Sequence, residues 1–129
     1  MNNIPAPTPA HEDPEKVAFL DKCIAMLRET DPDTWWEGPT FRSTDGQKHC
    51  ALSHIADRFG MEALERFEAE WSTSYVIGAL VNDEPSNKYP HDHPKDRVLA
   101  YLDALRVGTE VDVETSMWRQ FMAVLGDRA

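Results

Sequence analysis

Cys50 and His54 stand four residues apart in the stretch HCALSHIADRFG, His49 to Gly60. On a helix that spacing puts both side chains on one face, as a thiol nucleophile and an imidazole base require. A cysteine in the first turn would also feel the backbone N–H groups and the dipole that favour a thiolate. His93 is a second candidate base, and Asn82 or Asp83 could orient whichever imidazole acts. The same side chains admit another chemistry. Cys50, His54, His91 and His93 are the residue types of a tetrahedral zinc site, one pair at i,i+4 and the other at i,i+2. That combination matches no recognised zinc motif. Each candidate also has a plainer role: Cys50 as a small core hydrophobe, His91-Asp92-His93 as a helix cap, Asn82-Asp83 as a turn. No glycine-rich loop is visible to hold an oxyanion, so the leading expectation is a non-enzymatic chain with no cofactor and no metal.

The elements that must carry these side chains read as a mainly α domain of five or six helices with a minor β-hairpin. Residues 1–12 hold three prolines and little to bury, which predicts a flexible arm ahead of a single helical domain over 13–129. Asp13-Pro14 is a cap followed by proline in the first turn, and Val17, Leu20, Ile24 and Leu27 then recur at helical spacing, with Cys23 beside them as core. Asp31-Pro32 ends that helix. Trp35 and Trp36 point to different sides of any regular backbone, so at least one should pack; core is the default for both, and an exposed one would be a contact candidate. Thr40–Thr44 and Gln47–His49 flank Asp45-Gly46, the signature of a two-residue hairpin turn.

A second helix should run from His49 or Cys50 to Gly60, and a third from Met61 to Trp71 with Met61, Leu64, Phe67 and Trp71 inward. Glu62, Glu65, Glu68 and Glu70 then project outward, with Arg66 as the sole positive neighbour. Residues 73–81 are apolar nearly all round and rich in β-branched side chains, which fits a buried helix or a strand. Asn82 to His93 is a twelve-residue loop, long enough to suggest function. Asp92 or His93 caps a helix with Pro94 in its first turn and Gly108 as its stop. A last helix from about Asp112 to Leu125 is expected to bury Val113, Met117, Phe121 and Leu125.

Thirteen basic against 23 acidic residues give a formal charge of −10. No Lys/Arg cluster exists to displace counterions from a phosphate backbone, so direct nucleic-acid binding is not expected. The charge suits a protein partner with a basic surface, to be met by Glu62, Glu65, Glu68 and Glu70 together with Trp35 and Trp36. Two cysteines are too few for a disulfide framework, and no run reaches membrane-span length, which together predict a cytoplasmic protein without membrane contact.

Trp35/Trp36, Gly38, Asp45-Gly46, Cys50-Ala51-Leu52, Asn82-Asp83 and Val98-Leu99 together resemble a domain family of unknown function found in small actinobacterial and phage proteins. The likeness covers about residues 17–106. It departs at Ser53-His54, where the family carries a small residue, and at Val81, where the family has Trp. The resemblance implies that the Cys50 turn and the Asn82-Asp83 turn lie close together. It also implies a phage or mobile-element origin, for which an anti-CRISPR-like inhibitor is one concrete form.

Overall fold

Capping chemistry starts and stops the helices. In a computed structural model, which describes residues 6–38 and 40–127, Asp13 accepts from the N–H groups of Glu15 and Lys16 and opens α1, Pro14–Glu29. Cys50 and Gly60 bracket α2, Ala51–Phe59, and Gly60 alone separates it from α3, Met61–Trp71. His93 caps α4, Pro94–Val107, through Nδ1, which accepts from Lys95 N at 3.0 Å. Asp112 accepts from the N–H and hydroxyl of Thr115 at the start of α5, Val113–Asp127. The apolar segment left open between helix and strand is a π-helix, Val76–Asn82. It is entered from Thr73, whose carbonyl accepts from Ile77 N.

The core lies where α1 packs on α4, α2 packs on α3, and the π-helix lies against both α2 and α4. Leu20, Cys23, Ile24 and Leu27 of α1 meet Val98, Leu102 and Leu105 of α4 in one buried cluster with Ile55, Phe67, Trp71 and Ile77. Asp21 pairs with Arg106 and Arg28 with Asp103, so α1 and α4 run antiparallel. These pairs are exposed and set register more than stability. Gly78 lets the π-helix come close to α2, since a Cβ there would lie 3.3 Å from Leu52 Cδ1. Gly108 closes α4 at φ +86°, and a Cβ on it would meet the His11 ring at 2.5 Å.

Several expectations are corrected. The hairpin does not form: among the described residues there are only isolated bridges, Trp35 with His49 and Arg42 with His49. Ser43 N still donates to the Lys48 carbonyl and Cys50 N to that of Phe41, but side chains have taken the donors between them. Asp45 accepts from Gln47 N and from the Ser43 hydroxyl, and the Ser43 oxygen in turn accepts from Lys48 N. Met61 is exposed instead of buried. Val113, Met117, Phe121 and Leu125, expected inside, are all exposed, and α5 continues through Gly126 to Asp127. The last residues of the expected arm are tied down: Ala10 is buried and its N–H donates to Asp112. Residues 1–5, including Ile4, lie outside the described residues.

Candidate functional site

Asn82, at the end of the π-helix, is fully buried and joins three segments. Its Oδ1 accepts from Ala51 N at 3.1 Å, satisfying one of the free donors at the start of α2. Its Nδ2 donates to the Trp36 carbonyl at 2.8 Å and to Asp83 Oδ1 at 3.2 Å. The Cys50 and Asn82-Asp83 turns therefore meet. Arg97 supports the same place from α4 with a guanidinium that is 0% exposed. It donates to the carbonyls of Val81, Asn82, His91 and Asp92, each within 2.7–2.8 Å, and pairs with Glu37 at 3.3 Å. A guanidinium satisfies four carbonyls without strain because its donors fork in a plane. The long loop from Asn82 to His93 is closed at its base by this one side chain.

The other sequence candidates are drawn into structural roles. Cys50 is the N-cap of α2 in extended conformation, and its carbonyl accepts the first helical hydrogen bond, from His54 N at 2.9 Å. Burial pushes its thiol pKa up, away from what a nucleophile needs. His54 faces an aromatic cluster, with its ring 4.8 Å from that of Trp35 and 5.1 Å from that of His49. Burial, and then the neighbouring His49, lower its pKa to about 4. His93 Nε2 lies 3.0 Å from the Pro32 carbonyl while Nδ1 accepts from Lys95 N, which fixes the tautomer with the proton on Nε2. His91 is exposed and offers Arg97 only its carbonyl. Among the described residues no three His, Cys, Asp or Glu side chains gather closely enough to hold a metal ion.

Of the expected contact residues, Trp35 is only 5% exposed and donates to the Thr30 hydroxyl at 2.8 Å, so it is core. Trp36 is half-buried. Glu62 and Glu65 are exposed. Glu68 is also exposed and accepts from Ser74 N at 3.0 Å. Glu70 is half-buried and paired with Arg66 at 2.9 Å.

What the hub positions is a cleft. A cavity of about 300 Å³ is lined by Cys50 and Leu52, by Tyr75, Gly78 and Ala79 of the π-helix side, and by Asp83, whose Oδ1 accepts from Asn82 Nδ2 and Gly38 N. A second, of about 270 Å³, continues along α2 to Met61 and Leu64 of α3 and includes Arg42. Thr40, Phe41 and Leu52 line both, so Phe41 is the divider. Phe41 is 63% and Tyr75 74% exposed, a costly placement for two aromatic side chains with nothing against them. Comparison of the chain with protein-family models, curated proteins and solved structures returns no match.

Proposed function

We propose that this chain is a small interaction protein that takes an apolar and basic segment of a protein partner into the cleft divided by Phe41. The observation that carries this reading is the pair of adjoining cavities, lined mostly by apolar side chains with Asp83 in the first, on a molecule of net charge −10. Aromatic side chains held in water beside a pocket are the usual anchors of an interface. On the α3 side Arg42 is the charged side chain lining the cleft, and acidic groups stand just outside it. Met61 and Leu64 line it, Glu65 follows one turn on, and Glu68 holds the backbone of Ser74 in the cleft wall. A partner segment alternating aliphatic with Lys or Arg side chains would fill the cavities and pair with this rim, and long-range attraction would speed its approach. The family resemblance makes a phage-borne inhibitor of a nucleic-acid-handling complex one form of such a protein.

A fluorescence-polarisation titration tests the reading, with labelled peptides that alternate Leu or Phe with Lys and matched peptides carrying Glu in place of Lys. The basic set should bind with micromolar affinity, and binding should weaken in high salt and in Phe41→Ala and Tyr75→Ala variants. Equal binding of the acidic set, or indifference to both substitutions, would remove it.

A further inference from the structure

Among the described residues the C-terminal helix is the one long helix that gives no side chain to the buried core cluster. Among the described residues α5 packs only lightly on the other elements: its first turn is held where Asp112 binds Thr115 and the N–H of Ala10, and one turn on the Trp118 indole nitrogen is buried. Beyond that turn the helix is strongly apolar. At helical periodicity Val113, Val124, Met117, Phe121, Leu125, Trp118 and Met122 fall in sequence around about half of its circumference, interrupted only by Glu114 in the first turn, with Ser116, Arg119 and Gln120 on the other half. Met117 is 64% and Phe121 49% exposed, and Val113, Met122, Val124 and Leu125 are exposed with them. Trp118, at the edge of the arc, is half-buried. A helix with so wide an apolar arc is stable in water only when the arc is covered.

We propose that the cover is α5 of a second copy, so that the protein is a two-fold dimer joined through paired C-terminal helices. The area supports it. The exposed apolar side chains of α5 leave on the order of 500 Å² in water per copy, a patch as large as the largest on most monomers. Two copies closing on each other would bury at most about 1,000 Å², the lower limit of a specific interface. Shape supports it too: the arc is a strip along a 15-residue helix, about 22 Å long, and its natural complement is a strip of the same length. The charge does not oppose it. Residues 113–127 carry only Glu114, Arg119 and Asp127, whereas most of the acidic excess lies elsewhere in the chain. A bilayer is the poorer cover, because the helix offers one basic residue over that span to anionic headgroups and the whole chain is acidic. The cleft at Phe41 is a poorer one as well, being two side-chain-sized cavities with a carboxylate in the first. The inference goes beyond the proposed function and does not depend on it.

Sedimentation equilibrium of the full chain, with and without Met117→Glu and Phe121→Glu, reads this directly. The wild type should sediment at twice its 14.7 kDa mass at micromolar concentration. The double variant should associate roughly a hundredfold or more weakly, since each buried apolar side chain is lost to a charge. Its thermal unfolding should keep the cooperative transition of the body, because both positions are exposed in the single chain. A monomeric wild type at hundreds of micromolar overturns the proposal. So does a dimer indifferent to the α5 variant but broken by Phe41→Ala, or a monomer that sediments with phosphatidylcholine vesicles through α5.

Discussion

Replacing Arg97 with Met should destabilise the fold more than any other single polar substitution in the chain. The side chain volume is nearly kept, so the loss is electrostatic. Four carbonyls lose their donor. Those of Val81 and Asn82 are buried, while those of His91 and Asp92 are part-exposed and can turn to water. A buried acceptor left without a partner costs about 1–3 kcal/mol, which puts the two inner carbonyls at roughly 2–6 kcal/mol together. Removing a buried ion pair can be neutral when both partners become apolar, but here the acceptors are backbone and cannot be removed with the donor. Against a total stability of about 5–15 kcal/mol, a loss of about 4 kcal/mol is a large share. It should lower the melting temperature by roughly 12–20 °C in a domain of this size. Urea and thermal unfolding followed by circular dichroism measure it, with an unchanged urea slope showing that both states stay as compact as before. Two controls locate the effect. Arg97→Lys keeps the charge but concentrates its donors on one nitrogen, which cannot reach four carbonyls, so most of the loss should remain. Glu37→Gln removes only the half-exposed partner and should cost about 1 kcal/mol or less. An Arg97→Met variant within about 1 kcal/mol of wild type would refute the reasoning, because the carbonyls at the loop base would then be satisfied without it.

Three further outcomes follow from the same geometry. His54 is held neutral by burial, so stability is fully present above pH about 6.5 and is lost as pH falls through about 4, by up to about 3 kcal/mol. His54→Phe should flatten that dependence, and an NMR titration of His54 near the ordinary imidazole value would contradict it. Burial raises both thiols, Cys23 to about 11 and Cys50 also upward, so iodoacetamide at pH 8 should label neither until urea unfolds the chain. Rapid selective labelling of Cys50 in the native protein would revive the thiol-enzyme reading. Gly108→Ala forces a side chain into a left-handed conformation and against His11, and should cost about 1–2 kcal/mol. A neutral result in thermal unfolding would mean that the α4 terminus relaxes freely.

The helices were legible wherever local chemistry and periodicity agreed. Asp13-Pro14, His93-Pro94 and Gly108 each mark a boundary through a cap or a stop that acts within a few residues: α1 begins, and α4 begins and ends, where those residues stand. The site was legible only in part. Asn82 stood out as a turn residue, yet its actual work, joining Trp36 to Ala51 across the chain, depends on partners far away in sequence. Arg97 carried a signal that composition hides: it sits three residues after Pro94 and four before Tyr101, on the buried stripe of α4, where a charge is tolerated only with fixed partners. The hairpin failed because Ser43 and Asp45 compete for backbone donors, a rivalry that the Asp-Gly signature alone does not register. α5 misled for a different reason. Amphipathic periodicity states that a face must be covered and is silent on whether the cover belongs to the same chain.

The polar hub and the apolar cleft are two sides of one design problem. A cleft of small volume is useful only if its walls keep their spacing, and its walls come from three separate parts of the chain: Gly38, Thr40 and Phe41, the start of α2, and the π-helix. Apolar packing between them would close the space it is meant to keep open. Hydrogen bonds from one buried amide to Trp36, Ala51 and Asp83 fix those segments at set distances without filling the gap. The π-helix assists, since its wider turn ends in Asn82 with the side chain reaching α2, and such turns recur at functional sites for that reason. Asn82→Ala should therefore act on binding before it acts on folding. It should weaken the basic peptides more than Phe41→Ala does, with a melting temperature still well above the assay temperature. Equal affinity in Asn82→Ala and wild type would show that the cleft does not need the hub to hold its shape.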